Sequence, residues 1–161
     1  MYLWNSLQYE GIEGKAEHLV YLDKKGTELE KLIIGTKQSI IRGAAGRKSP
    51  LGGRVKSGDV LYFVETGGSL LVTHKAVVKT VLETNKMTED ESKEFVDAHA
   101  SQLNLAKHQY ERWVGKKFLC VITIDHIEII EPFEYNREKN MDDWIITDDI
   151  NKIKKVVFVN I

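Results

Sequence analysis

Cysteine and proline are nearly missing from this chain, with one and two respectively among 161 residues. A lone cysteine cannot close an internal disulfide, so the fold must rest on its core. Cys120 itself sits inside the run Phe118-Leu119-Cys120-Val121-Ile122. Alternation across a strand makes it an inert, buried thiol, away from the exposure and positive charge that reactivity requires. Long apolar runs are also lacking. Phe118 to Ile124 falls far short of the ~20 residues a membrane-spanning helix needs. The segment beginning Met1-Tyr2-Leu3-Trp4-Asn5 has no basic stretch followed by an apolar one, so no export signal is read and the expected location is cytoplasmic, with no membrane partner.

Metal-binding patterns are absent too. The histidines at 18, 74, 99, 108 and 126 show no ligand spacing, and one cysteine offers no thiolate pair, so neither a metal nor a cofactor is expected. The glycines of Gly43-Ala44-Ala45-Gly46-Arg47-Lys48-Ser49 stand too close together for a phosphate loop of the Walker type, which excludes that class of nucleotide hydrolase.

What is present is an ordinary globular composition, 42% hydrophobic and 29% charged, on a length that buries roughly 68–70% of the unfolded surface. No repeat, low-complexity tract or linker interrupts it, so one domain over 1–161 is expected. The net charge of −1 hides a marked segregation. Lys31, Lys37, Arg42, Arg47, Lys48, Arg54 and Lys56 occur within residues 31–58 without one acid, which leaves −8 on the remainder. Such a field attracts phosphate or another anion. A merely solvated basic loop is the plainer alternative.

Local patterns divide the chain into short elements. His18 to Leu22 reads as a strand, and Thr27 with Glu30 as a capping box for a helix ending at Gly35. Gln38 to Arg42 is a second strand. A glycine-rich basic connection from Gly43 to Gly58 follows, and loops of that length are usually functional. Val60 to Val64 reads as a buried strand, Thr66-Gly67-Gly68 as a hairpin turn, and Ser69 to Leu82 as a long strand bulged near Lys75-Ala76. Thr88-Glu89-Asp90-Glu91 opens a capped helix carrying Phe95, Val96, His99 and Leu103, and a second helix covers Leu105 to Val114 before Gly115. Strands are expected at Lys117 to Ile124, Ile127 to Phe133 and Ile153 to Ile161, with a turn at Asp125-His126. Glu134 to Asn151 reads as irregular around Trp144. This order predicts an α+β fold, a strongly curved mixed sheet or small barrel with helices packed on it.

Gly35-Thr36-Lys37-Gln38-Ser39-Ile40-Ile41-Arg42 places a lysine two residues after a glycine and an arginine five after the lysine. With Val55 to Phe63, which holds the Gly58-Asp59 turn, and with Lys75 to Val81, it resembles the ASCH domain family of the PUA-like superfamily. The likeness runs from about 18 to 133 and leaves a C-terminal extension, 134–161. It implies a PUA-like barrel and recognition of RNA or a modified nucleoside in a cleft beside it. Some members are small amidohydrolases with a polar residue three positions after the lysine. That position here is Ile40, which can neither move a proton nor act as a nucleophile, so Lys37 is a catalytic candidate only in the alternative reading as a hydrolase, with Glu65 or Glu83 as remote bases.

The residues expected to hold such a ligand are Lys37, Arg42, Gly43, Arg47, Lys48 and Arg54. The arginines offer planar forks to phosphate, the lysines supply point charges, and glycines let the backbone approach. Tyr110 and Trp113 are the candidate stacking faces. For Trp113 a core position is the competing reading, and for Lys37 an ion pair with an acid such as Glu30. Oligomeric state is not legible.

Overall fold

A computed structural model describes residues 16–44 and 53–156. Six strands form one sheet: β1 (Glu17–Leu22), β2 (Ser39–Ala44), β3 (Val60–Glu65), β4 (Leu71–Glu83), β5 (Phe118–Glu134) and β6 (Trp144–Thr147), in the spatial order β2-β5-β4-β3-β1-β6. β1 and β3 are parallel and every other neighbouring pair is antiparallel. The helices are α1 (Glu28–Ile34), α2 (Glu89–Ala98), the single turn α3 (Ala100–Leu103) and α4 (Lys107–Trp113). The expected α+β class with a curved mixed sheet is what the chain adopts.

Alternation along β2 divides the core in two. Ile40 joins Val20, Leu22, Phe63, Ile122 and Trp144 on the inner face of the curled sheet, while Ile41 packs outward with Val96, Leu103 and Trp113 of the helices. Arg42, two residues beyond Ile40, therefore shares the inner face.

Four local expectations are corrected. Thr27 forms no capping box with Glu30: it has a left-handed backbone, φ 51°, and makes no side-chain cap, because its hydroxyl donates to the Gly26 carbonyl instead. Asp125-His126 does not end a strand, since β5 continues through it with His126 at φ 52°. One left-handed residue bends a strand, whereas reversing it needs a two-residue turn. The stretch read as irregular supplies β6, whose Trp144 to Thr147 pair with Val20 to Glu17. Ile153 lies in a 3₁₀ turn, Ile150–Ile153, rather than in a strand, and most of the strand expected there, 157–161, lies outside the described residues.

Candidate functional site

Among the described residues β2 and β6 are the two edges of the sheet, yet Arg42 and Gly43 of β2 and Trp144, Ile145 and Ile146 of β6 line the same cleft, of about 610 Å³. The sheet thus curls until its edges face one another, and the cleft occupies the gap. The end of α4 closes one side with Arg112, Trp113 and Lys116, and Arg54 enters from the segment before β3. Four cations, Arg42, Arg54, Arg112 and Lys116, stand against two carboxylates, Asp142 and Asp143.

Arg42 spans the gap. Only 7% exposed, it donates from Nη1 to the Ile41 carbonyl and from Nη2 to the Tyr21 carbonyl on β1, at 2.9 and 2.6 Å. Its Nε stands 3.4 Å from Asp143 Oδ2 but is buried without a hydrogen bond. The guanidinium also lies 5.5 Å from the centre of the Trp144 ring. Asp143 is shared, because Arg112 Nη2 approaches the same oxygen at 3.8 Å. Arg112 is itself laid over the Trp113 ring at 4.3 Å, a cation–π contact that orients an otherwise exposed head group.

Two buried arrangements fix the walls. The Trp144 indole can only donate, and it reaches His18 Nδ1 at 3.0 Å. His18 must therefore carry its proton on Nε2 and give it to Asp59 Oδ2, 2.8 Å away. The same oxygen accepts from the Lys56 amide at 3.0 Å. The glycine-aspartate turn thereby anchors β6 through a chain of three side chains. On the other wall, Gly43 makes room for Trp113: a Cβ there would stand 2.9 Å from both Trp113 Cε3 and Leu119 Cδ2.

A second cavity of about 310 Å³ adjoins the cleft and shares Arg42, Arg112, Trp113 and Asp143 with it. Its remaining lining includes Tyr21, Asp23, Glu28, His108 and Gln109. His108 Nε2 pairs closely with Asp23 Oδ2. Burial pushes the Asp23 carboxyl up, but hydrogen bonds from His108 and from the Gly26 and Lys25 backbone outweigh it and leave it below its ordinary value.

Of the residues singled out from sequence, Arg42, Gly43, Arg54 and Trp113 meet at the cleft. Trp113 is a core residue as well, 6% exposed, with its face toward Gly43. Lys37 does not line either cavity. It is 2% exposed, donates to the Leu103 carbonyl, and pairs with Glu28 Oε2 at 3.4 Å. The partner is thus Glu28 rather than Glu30. Burial lowers the Lys37 pKa and Glu28 opposes that shift. Tyr110 is also absent from the lining; its hydroxyl donates to Asp97 at 2.7 Å. Arg47 and Lys48 lie outside the described residues. Burial drives the Cys120 thiol up to about 12, as an inert thiol requires.

Asp143, Glu28 and the Trp144–His18–Asp59 chain escaped the sequence reading. Only the adjacency Asp142-Asp143-Trp144 hinted at a polar wall beside an aromatic. The Trp144–His18–Asp59 chain depends on contacts between residues 41 and 126 positions apart.

Among solved structures the chain is similar to ASCH from Zymomonas mobilis, at 14% identity and a TM-score of 0.55 over 79% of this chain and 82% of that one. A serine-to-alanine variant of that protein matches at 11% identity and 0.60, over 88% and 94%. A tyrosine-to-phenylalanine variant matches at 14% and 0.59, over 84% and 93%. The likeness is one of fold, and it is the fold that the Gly35 to Arg42 motif implied. No protein-family model matches the chain, and neither does any curated protein.

Proposed function

We propose that the cleft between the sheet edges binds RNA or a modified nucleoside as its anionic ligand. The observation that carries this reading is the convergence of Arg42, Arg54, Arg112 and Lys116 from three separate parts of the chain on one cleft of about 610 Å³. That volume lies within the ~300–1,000 Å³ typical of small-molecule sites. Arg112, Arg54 and Lys116 supply charge for phosphate oxygens, while Asp142 accepts from the amino and hydroxyl donors of a base or ribose. Trp113 and Trp144 are too deeply packed for bases to stack on their faces and serve as apolar walls. The test is binding of short fluorescent single-stranded RNA, duplex RNA and single-stranded DNA across a salt series, with free nucleosides as a second panel. Arg54→Ala and Arg112→Ala should each weaken single-strand binding and lower the salt slope by about 0.7 per lost phosphate contact. Unchanged affinity and slope in both variants would remove the cleft from consideration.

The Lys37–Glu28 pair favours one other reading, a hydrolase acting on acylated nucleosides. Glu28 provides a carboxylate 3.4 Å from the lysine, which Ile40 cannot, and burial lowers the lysine pKa in the direction that suits a proton carrier. It ranks second because Glu28 borders the small cavity and Lys37 borders neither. Turnover of a panel of acylated nucleosides that is lost in Glu28→Gln would promote it, and complete inertness of the wild type would end it.

A further inference from the structure

Arg42, Arg112, Trp113 and Asp143 stand between the cleft and the small cavity beside it, and Asp143 is the one anion among them. Asp143 borders both, and its carboxylate lies between Arg42 Nε at 3.4 Å and Arg112 Nη2 at 3.8 Å. Resting on the nucleic-acid reading above, we propose that Asp143 occupies the seat of a backbone phosphate. A dinucleotide step of RNA displaces it, placing one nucleoside in the cleft and its neighbour in the small cavity.

Arg42 carries the first argument. Its two terminal nitrogens are committed to backbone carbonyls, which fixes the plane of the guanidinium, and its Nε is left buried without a hydrogen bond although a carboxylate stands 3.4 Å away. A buried donor without an acceptor calls for explanation. Here the resident carboxylate balances the charge and leaves the directional bond unmade. A phosphodiester oxygen that comes closer from the same side accepts the Nε–H. The Tyr21 hydroxyl is the second buried polar atom without a partner among the described residues, and Tyr21 borders the same small cavity.

The two compartments differ in chemistry. Arg54 and Lys116 border only the cleft, whereas Asp23, Glu28 and Gln109 border only the small cavity. With Asp23 and Glu28 the second compartment repels a phosphate and accepts the amino and hydroxyl donors of a nucleoside. Its volume of about 310 Å³ is at the lower end of the range for small ligands. The Asp143 main chain is fixed and its side chain is not. The Asp143 carbonyl is held by the Tyr21 amide at 3.0 Å, while its side chain is 49% exposed and can turn to solvent.

The experiment compares dinucleoside monophosphates of each homopolymer with nucleoside 5′-monophosphates, by calorimetry, on the wild type, Asp143→Asn and Asp142→Asn. Asp142 removes the same charge from the same cleft but forms no ion pair with either arginine. The wild type should prefer dinucleoside monophosphates although they carry less charge. Asp143→Asn should tighten them on the order of tenfold, and Asp142→Asn by about twofold, the effect of a screened charge at a distance. Equal tightening by both variants, or weakening by Asp143→Asn, overturns the seat. Long RNA that binds with no preference for the dinucleotide step leaves the cleft reading standing and rejects this one. Failure of every RNA, long or short, to bind any of the three proteins rejects both.

Discussion

Gly43 and Lys37 show how far a residue's role depends on what folds against it. Gly43 reads as a place where backbone approaches a ligand, yet its lack of a side chain is used by Trp113 and Leu119. Gly43→Ala should destabilise the protein by about 1–3 kcal/mol through overpacking, seen as a lower denaturant midpoint with an unchanged slope. Lys37 reads as a ligand contact and is instead the buried counter-ion of Glu28. Lys37→Met leaves that carboxylate buried and uncompensated, at a cost of about 3–5 kcal/mol, and a second change, Glu28→Gln, should restore part of it. The pH dependence has a definite sign. Because folding lowers the Lys37 pKa below its ordinary 10.5, the unfolded chain holds a proton that the folded one has lost between those two values. This group's contribution to stability therefore rises with pH toward 10.5. Urea melts of the wild type and the double variant across alkaline pH should differ by that slope, and parallel curves would contradict it.

At the level of elements, the helix that opens at Thr88 behaves as its sequence dictates. Thr88 Oγ1 accepts from the Glu91 amide at 3.2 Å and the Glu91 carboxylate accepts in turn from the Thr88 amide at 2.9 Å. Thr88→Ala should cost about 0.5–2 kcal/mol and be visible as faster amide exchange in the first turn of α2. The helix at Thr27 carries a similar pattern without the box. There Glu28, rather than Glu30, turns inward, with one oxygen on the Asp23 amide and the other beside Lys37. Tertiary pairing has overridden a local cap. β5 teaches the same lesson for strands. Both of its halves pair with β4, so the bend at His126 is absorbed as register shifts instead of a reversal.

For the whole molecule the decisive feature is that the sheet curls until its edges meet. Arg42 is the clasp, reaching from edge strand β2 to Tyr21 on β1 and to Asp143 just before β6. Arg42→Ala should therefore act on the fold as well as on binding. It removes two charge-assisted hydrogen bonds worth about 1.5–3 kcal/mol each. Amide exchange should accelerate in β2 and β6 while the central β4 stays protected, and uniform protection in all three would show that Arg42 does not hold the seam. Arg112, exposed and stacked on its neighbour, is the residue at which binding can be tested without opening the structure.

The α+β class, the strands and helices up to the start of β5, the glycine ends at Gly35 and Gly115, the Thr88 cap and the buried Cys120 were readable along the chain, whereas the continuity of β5 and the presence of β6 were not. Each follows from periodicity or from backbone chemistry within a few residues. The basic segment was readable too, because charge is a property of composition. What the sequence could not state is which charges face the cleft. Lys37 turns into the core and Arg42 into the seam, while Arg112 and Asp143 arrive from segments about 70 and 100 positions away. Only the curl of the sheet brings those segments together, and that curl results from long-range pairing of β1 with β3 and β6 rather than from any local pattern.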